Sequence, residues 1–223
     1  DGLILNMDAA NRASYSKTGT TWTDTINGNN GTLTNGPTFD SANGGSIDFD
    51  GNDQLVNIGD IPALTFDRFD PFSSSAFCYP KDTGANGIMG KRQNGGAFRG
   101  LEFRFYLGKL EIEMFNTNSS NKIYISSTST YPINNWYNVG FTYDGSSNAN
   151  GFTLYIDGVS IPFTVIFNSL TGTIVTTDPF QIGTGRNNTN YFNGNIANAQ
   201  VYNRALSSSE ILQNYNALKG RFG

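Results

Sequence analysis

Residues 100–115 read GLEFRFYLGKLEIEMF. Leu101, Phe103, Phe105 and Leu107 alternate with Glu102, Arg104 and Tyr106. Beyond Gly108-Lys109 the alternation resumes, with Leu110, Ile112 and Met114 set against Glu111, Glu113 and Phe115. A period of two is that of a strand with one buried face, whereas a helix would repeat at about 3.6. The short break predicts a tight hairpin at Gly108-Lys109, so the two runs pair antiparallel.

The same pattern extends in both directions. KIYIS (122–126) turns Ile123 and Ile125 inward and Tyr124 outward. WYNVGFTYDG (136–145) puts Tyr137, Val139, Phe141 and Tyr143 on one face, and FTLYIDGVSI (152–161) reads as strand, Asp157-Gly158 turn and return strand. LILNM (3–7), SIDF (46–49), QLVNI (54–58), SAFCY (75–79), PFQIG (179–183) and IANAQVY (196–202) bring the total to about a dozen strands. Asn-Gly and Asp-Gly pairs recur between them and favour hairpin turns. Segments 11–48 and 169–179 read as long loops. Alternation of this kind means antiparallel sheets with one buried face. The fold class is therefore all-β, a two-sheet antiparallel jelly-roll sandwich in a single domain over residues 1–223.

The chain ends differently. In LSSSEILQNYNALKG (206–220), Ser207 and Glu210 form a capping box, with Leu206 and Ile211 placed as its hydrophobic staple. Ile211, Leu212, Tyr215 and Leu218 follow at helical spacing, and Gly220 is the expected stop. One short C-terminal helix should therefore lie across the sandwich.

Composition narrows the chemistry. Charged residues are only 14% and the net charge is -4, which leaves no basic cluster to attract nucleic acid or an anionic membrane. No apolar run is long enough for membrane insertion as a helix. There is no histidine, so Ser–His–Asp catalysis, His-ligated zinc and His acid–base chemistry are excluded. Cys78, alone in the chain, sits in an apolar run and reads as a buried, inert thiol. The chain starts at Asp1 without an initiator Met, as a part of a longer or processed polypeptide would.

Four segments carry a resemblance. FNGNIANAQVYNRALSSSEILQNY (192–215), SIDFDGNDQLVNIG (46–59), INNWYNVGFTYDG (133–145) and FTLYIDGVSI (152–161) resemble, in order, signatures of laminin-G-like, concanavalin A-like jelly-roll domains. The opening (2–39) resembles versions found in bacterial secreted proteins and phage virion proteins. The family commonly carries a Trp where Cys78 or Tyr79 stands, and Trp136 matches its strand-starting Trp. The resemblance implies the fold; it does not assign a role, because this fold serves many.

Three chemistries are open to the residues. Glu111 and Glu113 lie on one strand face, as carboxylates do in glucanases of this fold, but the third position is Phe115; a solvated, charged strand face accounts for the pair, and the reading here is non-catalytic. Asp50 and Asp53 offer oxygens for Ca²⁺, and also suit an ordinary turn. Arg104, Tyr106, Glu113, Tyr124 and Tyr155 point outward, and the loop at 183–194 adds Arg186, Asn187 and Tyr191. Aromatic faces and hydrogen-bonding groups of this kind suit a glycan, although exposed aromatics also suit a plain sheet surface or a subunit interface. The expected function is an exposed recognition module, of the virion surface or extracellular, binding host-surface glycan as part of a phage tail, fibre or capsid appendage. Its partners would then be that glycan, other virion proteins and further copies of itself in a homo-oligomer. The alternatives are a structural decoration protein contacting other virion subunits and, third, a glycoside hydrolase.

Overall fold

Alternating apolar residues become strands because each strand exposes one greasy face that only a second sheet can cover. The computed structural model describes residues 1–117, 119–186 and 189–222. In chain order its strands are β1 (Leu3–Asp8), β2 (Thr21–Trp22), β3 (Gly31–Thr34), β4 (Thr38–Asp40), β5 (Ser46–Asp50), β6 (Leu55–Gly59), β7 (Phe72–Pro80), β8 (Asn86–Arg92), β9 (Gly100–Tyr106) and β10 (Lys109–Phe115). They continue with β11 (Lys122–Ser127), β12 (Tyr137–Tyr143), β13 (Phe152–Ile156), β14 (Val159–Ile161), β15 (Phe163–Asn168), β16 (Phe180–Ile182), β17 (Thr184–Arg186), β18 (Thr189–Tyr191) and β19 (Asn193–Tyr202).

Two large sheets result. One has nine strands in the order β15-β11-β10-β9-β8-β16-β6-β3-β2. The other has eight, β14-β13-β12-β7-β19-β5-β4, with β1 added beside β19. The ten-residue β19 pairs with β5 along its first half and with β1 along its second, while β7 flanks it on the other side. All of these pairings are antiparallel, as the alternation predicts. No helix among the described residues is long and apolar enough to cross a membrane.

The core forms where the inner faces meet. Phe103, Phe105, Leu110, Ile112, Met114, Ile123 and Ile125 of the nine-stranded sheet pack with Phe72, Ala76, Cys78, Val139, Phe141 and Leu154 of the other. Phe103 meets Phe141 edge-to-face across the layers, with ring centroids 5.1 Å apart. Each fully buried side chain of this size contributes roughly 1.5–3 kcal/mol through loss of apolar surface from water. Cys78 lies in this core, and burial pushes its thiol pKa up, which removes the thiolate needed for reactivity.

Several details differ from the sequence reading. The tight turn is Leu107-Gly108, one residue earlier than expected, because Lys109 already pairs with Tyr106. Both turn residues are left-handed, with φ of 50° and 74°; Gly108 has no Cβ to strain there, but Leu107 does. Segment 11–48 is not one long loop: β2, β3 and β4 cross it. Its turn at 24–29 is tied by the buried Asp24 carboxylate, which accepts the N–H groups of Ile26, Asn27 and Asn29 as well as that of Asn6.

Helix α1 (Ser208–Leu218) has the expected capping box. Leu206 and Ile211 close over Tyr155 and Tyr202 on the outer face of the eight-stranded sheet. Gly220 is not the stop. It falls inside a 3-10 turn (Lys219–Arg221) that carries the chain on to Phe222, whose ring stacks on Phe77 at 4.3 Å.

Candidate functional site

The hairpin β9–β10 and its neighbour β11 decide what the outer face of the nine-stranded sheet offers. Register places Glu102 opposite Glu113, Arg104 opposite Glu111, and Glu113 opposite Tyr124. Two carboxylates directly opposite each other repel, so this register requires cations nearby. Arg104 supplies one. Its Nε and Nη2 donate to one Glu111 oxygen at 3.1 and 2.9 Å, and Nη2 also donates to Glu113 Oε1 at 2.9 Å. Its Nη1 lies 3.4 Å from Glu102. Arg92, at the end of β8, supplies the other, donating to Glu102 and, at 3.0 Å, to Glu113 Oε2. The remaining Glu111 oxygen accepts the Tyr124 hydroxyl at 2.8 Å and the Ser126 hydroxyl at 3.0 Å. Each of the three carboxylates therefore has both oxygens engaged.

This network is buried, contrary to the expected solvated strand face. Glu102 is fully enclosed, Glu111, Glu113 and Arg92 are buried, and the Arg104 side chain is only 12% exposed. Over Glu102 the cover is the small hairpin β17–β18. Gly90 and Gly185 meet there backbone to backbone: a Cβ on Gly90 would strike the Gly185 carbonyl, and one on Gly185 would strike the Glu102 side chain. The hairpin can thus lie flat on the sheet, and Asn190 donates its amide to Glu102. Aromatic rings seal the side. The Arg92 guanidinium stands 3.6 Å from the Phe115 ring centroid.

The environment splits the acids. Burial would raise Glu102, but Arg104 and Arg92 outweigh it and hold this carboxyl below its ordinary value. Glu113 goes the other way: burial raises it, Arg104 and Arg92 oppose the rise, and the charge on Glu102 reinforces it. Burial would lower Arg104, yet its three carboxylates hold it above its ordinary value. Tyr124 is raised by burial and by its bond to Glu111, so its hydroxyl stays protonated.

Arg104, Tyr106, Glu113 and Tyr124 are thus brought together on one face, with Tyr106 39% exposed at its edge and 5.3 Å from the Arg104 guanidinium. Arg186 and Tyr191 stand on the hairpin that borders it. Arg186 donates to the Thr189 hydroxyl at 2.6 Å, and its guanidinium stands 5.4 Å from the Phe98 ring centroid. Asn187 lies outside the described residues. Tyr155 does not join them. It belongs to the opposite sheet and is buried beneath helix α1, 3.1 Å from the Ser208 hydroxyl, because the helix needs an apolar floor there.

Asp50, the last residue of β5, and Asp53, in the turn that follows, are exposed. Asp50 accepts the Asn52 N–H at 2.9 Å, and that bond leads the causes that lower its pKa. Among the described residues no three Asp, Glu or Cys side chains gather as a metal site.

Arg92 and Asn190 were not legible as site residues. The usable signal was indirect: a hairpin that sets Glu102 against Glu113 demands cations, and G-I-M-G (87–90) marks a strand over which another backbone passes.

Solved structures with this fold are diverse. The binding domain of Paraclostridial Mosquitocidal Protein 1 superposes with a TM-score of 0.68 at 21% identity, covering 97% of this chain and 52% of that one. This chain thus spans about half the length of that relative. Domain 4 of AbnA, a GH43 extracellular arabinanase from Geobacillus stearothermophilus in complex with arabinotriose, gives 0.68 at 15% identity over 95% and 97% of the two chains. The CBM40 of Ruminococcus gnavus IT-sialidase, bound to α2,3-sialyllactose, gives 0.58 at 15% identity over 76% and 96%. At these identities the likeness is one of fold. Among curated proteins no sequence matches. A family model described as the concanavalin A-like lectin/glucanases superfamily matches residues 50–212. Two stacked antiparallel sheets, the capped closing helix and that match across most of the sequence agree: the chain belongs to the concanavalin A-like lectin/glucanase superfamily.

Proposed function

We propose that this protein is a non-catalytic carbohydrate-recognition module on the surface of a phage virion, where it adheres to host-surface glycan as part of a tail, fibre or capsid appendage. The observation that carries the glycan reading is the fixed outer face of the nine-stranded sheet. Arg104 and Tyr124 are held in one orientation by buried carboxylates, and Tyr106 flanks them with an accessible ring. A sugar needs an aromatic face to lie against and polar groups that do not have to be ordered first. The bound arabinotriose and sialyllactose of two structural relatives fit the same chemistry. The low-charge Asn/Thr/Gly-rich composition and the form of the opening segment support the virion setting.

The carboxylates argue against hydrolysis. A general acid must pass its proton to a leaving group, and a nucleophile must reach an anomeric carbon. Glu102, Glu111 and Glu113 are each buried and bridged to arginine. A glycan array tests the reading. The purified protein should retain a defined set of glycans, and Tyr106→Ala and Tyr124→Ala should lose them with Tm little changed. Retention of every glycan by both variants would refute this face, and polysaccharide turnover lost in Glu113→Gln would restore the enzyme.

One observation favours a structural decoration protein instead. Edge strand β15 exposes Val165, Ile166 and Phe167, and an apolar edge suits contact with another subunit. A structure of the whole particle would show which face meets a neighbour.

A further inference from the structure

On the other sheet, remote from the Arg104 face, a second polar and aromatic pocket opens. It has a volume of about 300 Å³ and is lined by Asp40, Asn43, Tyr79, Lys81, Trp136 and Asn195. That is the lower end of the range for small-ligand sites (about 300–1,000 Å³), enough for a single ring. Tyr79 and Trp136 form its aromatic wall, with centroids 5.6 Å apart and planes inclined at 50°.

The wall is braced from behind. Trp136 rests on Phe222 at 4.7 Å, and Phe222 stacks on Phe77. With its amide turned to satisfy both neighbours, Asn43 accepts the Trp136 indole N–H at 2.8 Å and donates to the Arg221 carbonyl at 3.0 Å. The indole is therefore fixed in orientation by the chain's own tail, and its ring remains only partly covered.

The polar side is also set in advance. Buried Asn195 donates to Asp40 Oδ2 at 3.3 Å and to the Ser46 hydroxyl at 3.2 Å. Asp40 Oδ1 accepts the Ala42 N–H at 2.9 Å. Lys81 pairs with Asp48 at 2.6 Å, and its ammonium carries three donors, of which this bond uses one. Carboxylate acceptors next to an ammonium donor, facing aromatic rings, form the set that takes vicinal hydroxyls and the C–H face of a sugar. The charges sum to minus one over Asp40, Asp48 and Lys81, so an anionic sugar is repelled.

We infer that the Tyr79–Trp136 pocket is a second binding site, and that it takes one ring of an uncharged saccharide. The protein would then engage glycan through both sheets, and two weak sites on one molecule raise overall avidity without any new contact.

Tryptophan fluorescence reads this site almost alone. The chain has two tryptophans, and Trp22 is fully buried in the core. The full chain is titrated with the methyl glycosides of glucose, galactose, rhamnose and arabinose, and separately with N-acetylneuraminic and galacturonic acids. At least one neutral glycoside should give a saturable change in emission, with half-saturation in the millimolar range, and the acids should give none. Lys81→Ala, an exposed position, and Asp40→Asn should each raise the half-saturation concentration by about tenfold or more, as loss of a hydrogen bond to a charged group does. Tyr79→Ala should abolish the change, with Tm recorded alongside. Tyr106→Ala, on the other sheet, should leave it intact even where it abolishes array binding, so failure of this site and failure of the Arg104 face are told apart. No saturable change with any neutral glycoside, a response to the acids alone, or indifference to Lys81→Ala would overturn the inference.

Discussion

Replacing Arg104 with methionine tests whether the covered face is held by its ion network. Arg104 touches all three carboxylates, and methionine fills similar volume without charge. Arg92 then remains as the bridge between Glu102 and Glu113, which stand directly opposite each other, and Glu111 loses both bonds to its Oε2. Removing one partner of a buried ion pair costs about 3–5 kcal/mol, because the other charge is left desolvated. For a chain of this length each kcal/mol moves Tm by roughly 2–4 °C, so the loss should be about 6–20 °C near neutral pH. The deficit should also depend on pH. Glu113 already has a raised pKa in the fold, and loss of Arg104 raises it further. An acid with a raised folded-state pKa contributes stability that is complete below its unfolded value and is lost as pH rises through the folded one. The variant should therefore be weakest at neutral pH and recover part of its deficit near about pH 4.5. Adding Glu113→Gln should recover part of it at neutral pH. Thermal unfolding followed by circular dichroism at both pH values measures this. A loss below about 1 kcal/mol, the scale of exposed pairs, or a deficit independent of pH, would refute the reasoning.

Other positions give sharper local tests. Leu107→Asn should raise stability by roughly 1 kcal/mol, since Leu107 is 61% exposed and strained at φ 50°, where asparagine sits more easily; an unchanged or lower Tm would refute this. Gly90→Ala should cost about 1–3 kcal/mol by lifting the β17–β18 hairpin off the sheet, and no measurable change in Tm would show that the hairpin does not lie against β8. Glu210 is held down to about 2 by its bond to Arg204 and then by Ser207, so the stability it contributes is present above its ordinary value of 4.5 and is lost as pH falls toward 2. Glu210→Gln should remove that acid-side slope, which a pH series of Tm values detects. Millimolar calcium should leave Tm unchanged, because Asp50 already accepts the turn's own N–H groups; a rise in Tm would place an ion there.

What alternation reveals is the side of a strand that faces the core. It placed Phe103, Ile112 and Phe141 inside, and all three are fully buried. The capping box was equally legible, because Ser207 and Glu210 interact locally. Alternation is silent about what lies on the other side of a sheet. Glu102 and Tyr155 both point away from the inter-sheet core, yet each is enclosed, one by a hairpin and one by a helix. Those covers come from residues about fifty to ninety positions away, and no local period encodes their arrival. The hairpin itself reads as loop in the sequence, since three-residue strands around Asn-rich turns carry too little pattern to register.

The two covers have different consequences for binding. Beneath the helix the floor is aromatic and its task ends with packing. Beneath the β17–β18 hairpin the floor is ionic, and an ionic floor fixes direction as well as position. Arg104 is oriented by three carboxylates before any ligand arrives, and Tyr124 by one, so the rotamer entropy of ordering them is met during folding and does not recur on binding. Recognition by this face should accordingly be sensitive to residues that no ligand touches. Glu102 is the sharpest case: wholly buried, it can affect a glycan only by positioning Arg92, Arg104 and Asn190. Glu102→Gln keeps the shape and removes the charge, so it should weaken glycan retention while the isolated Trp136 response on the opposite sheet stays as it was.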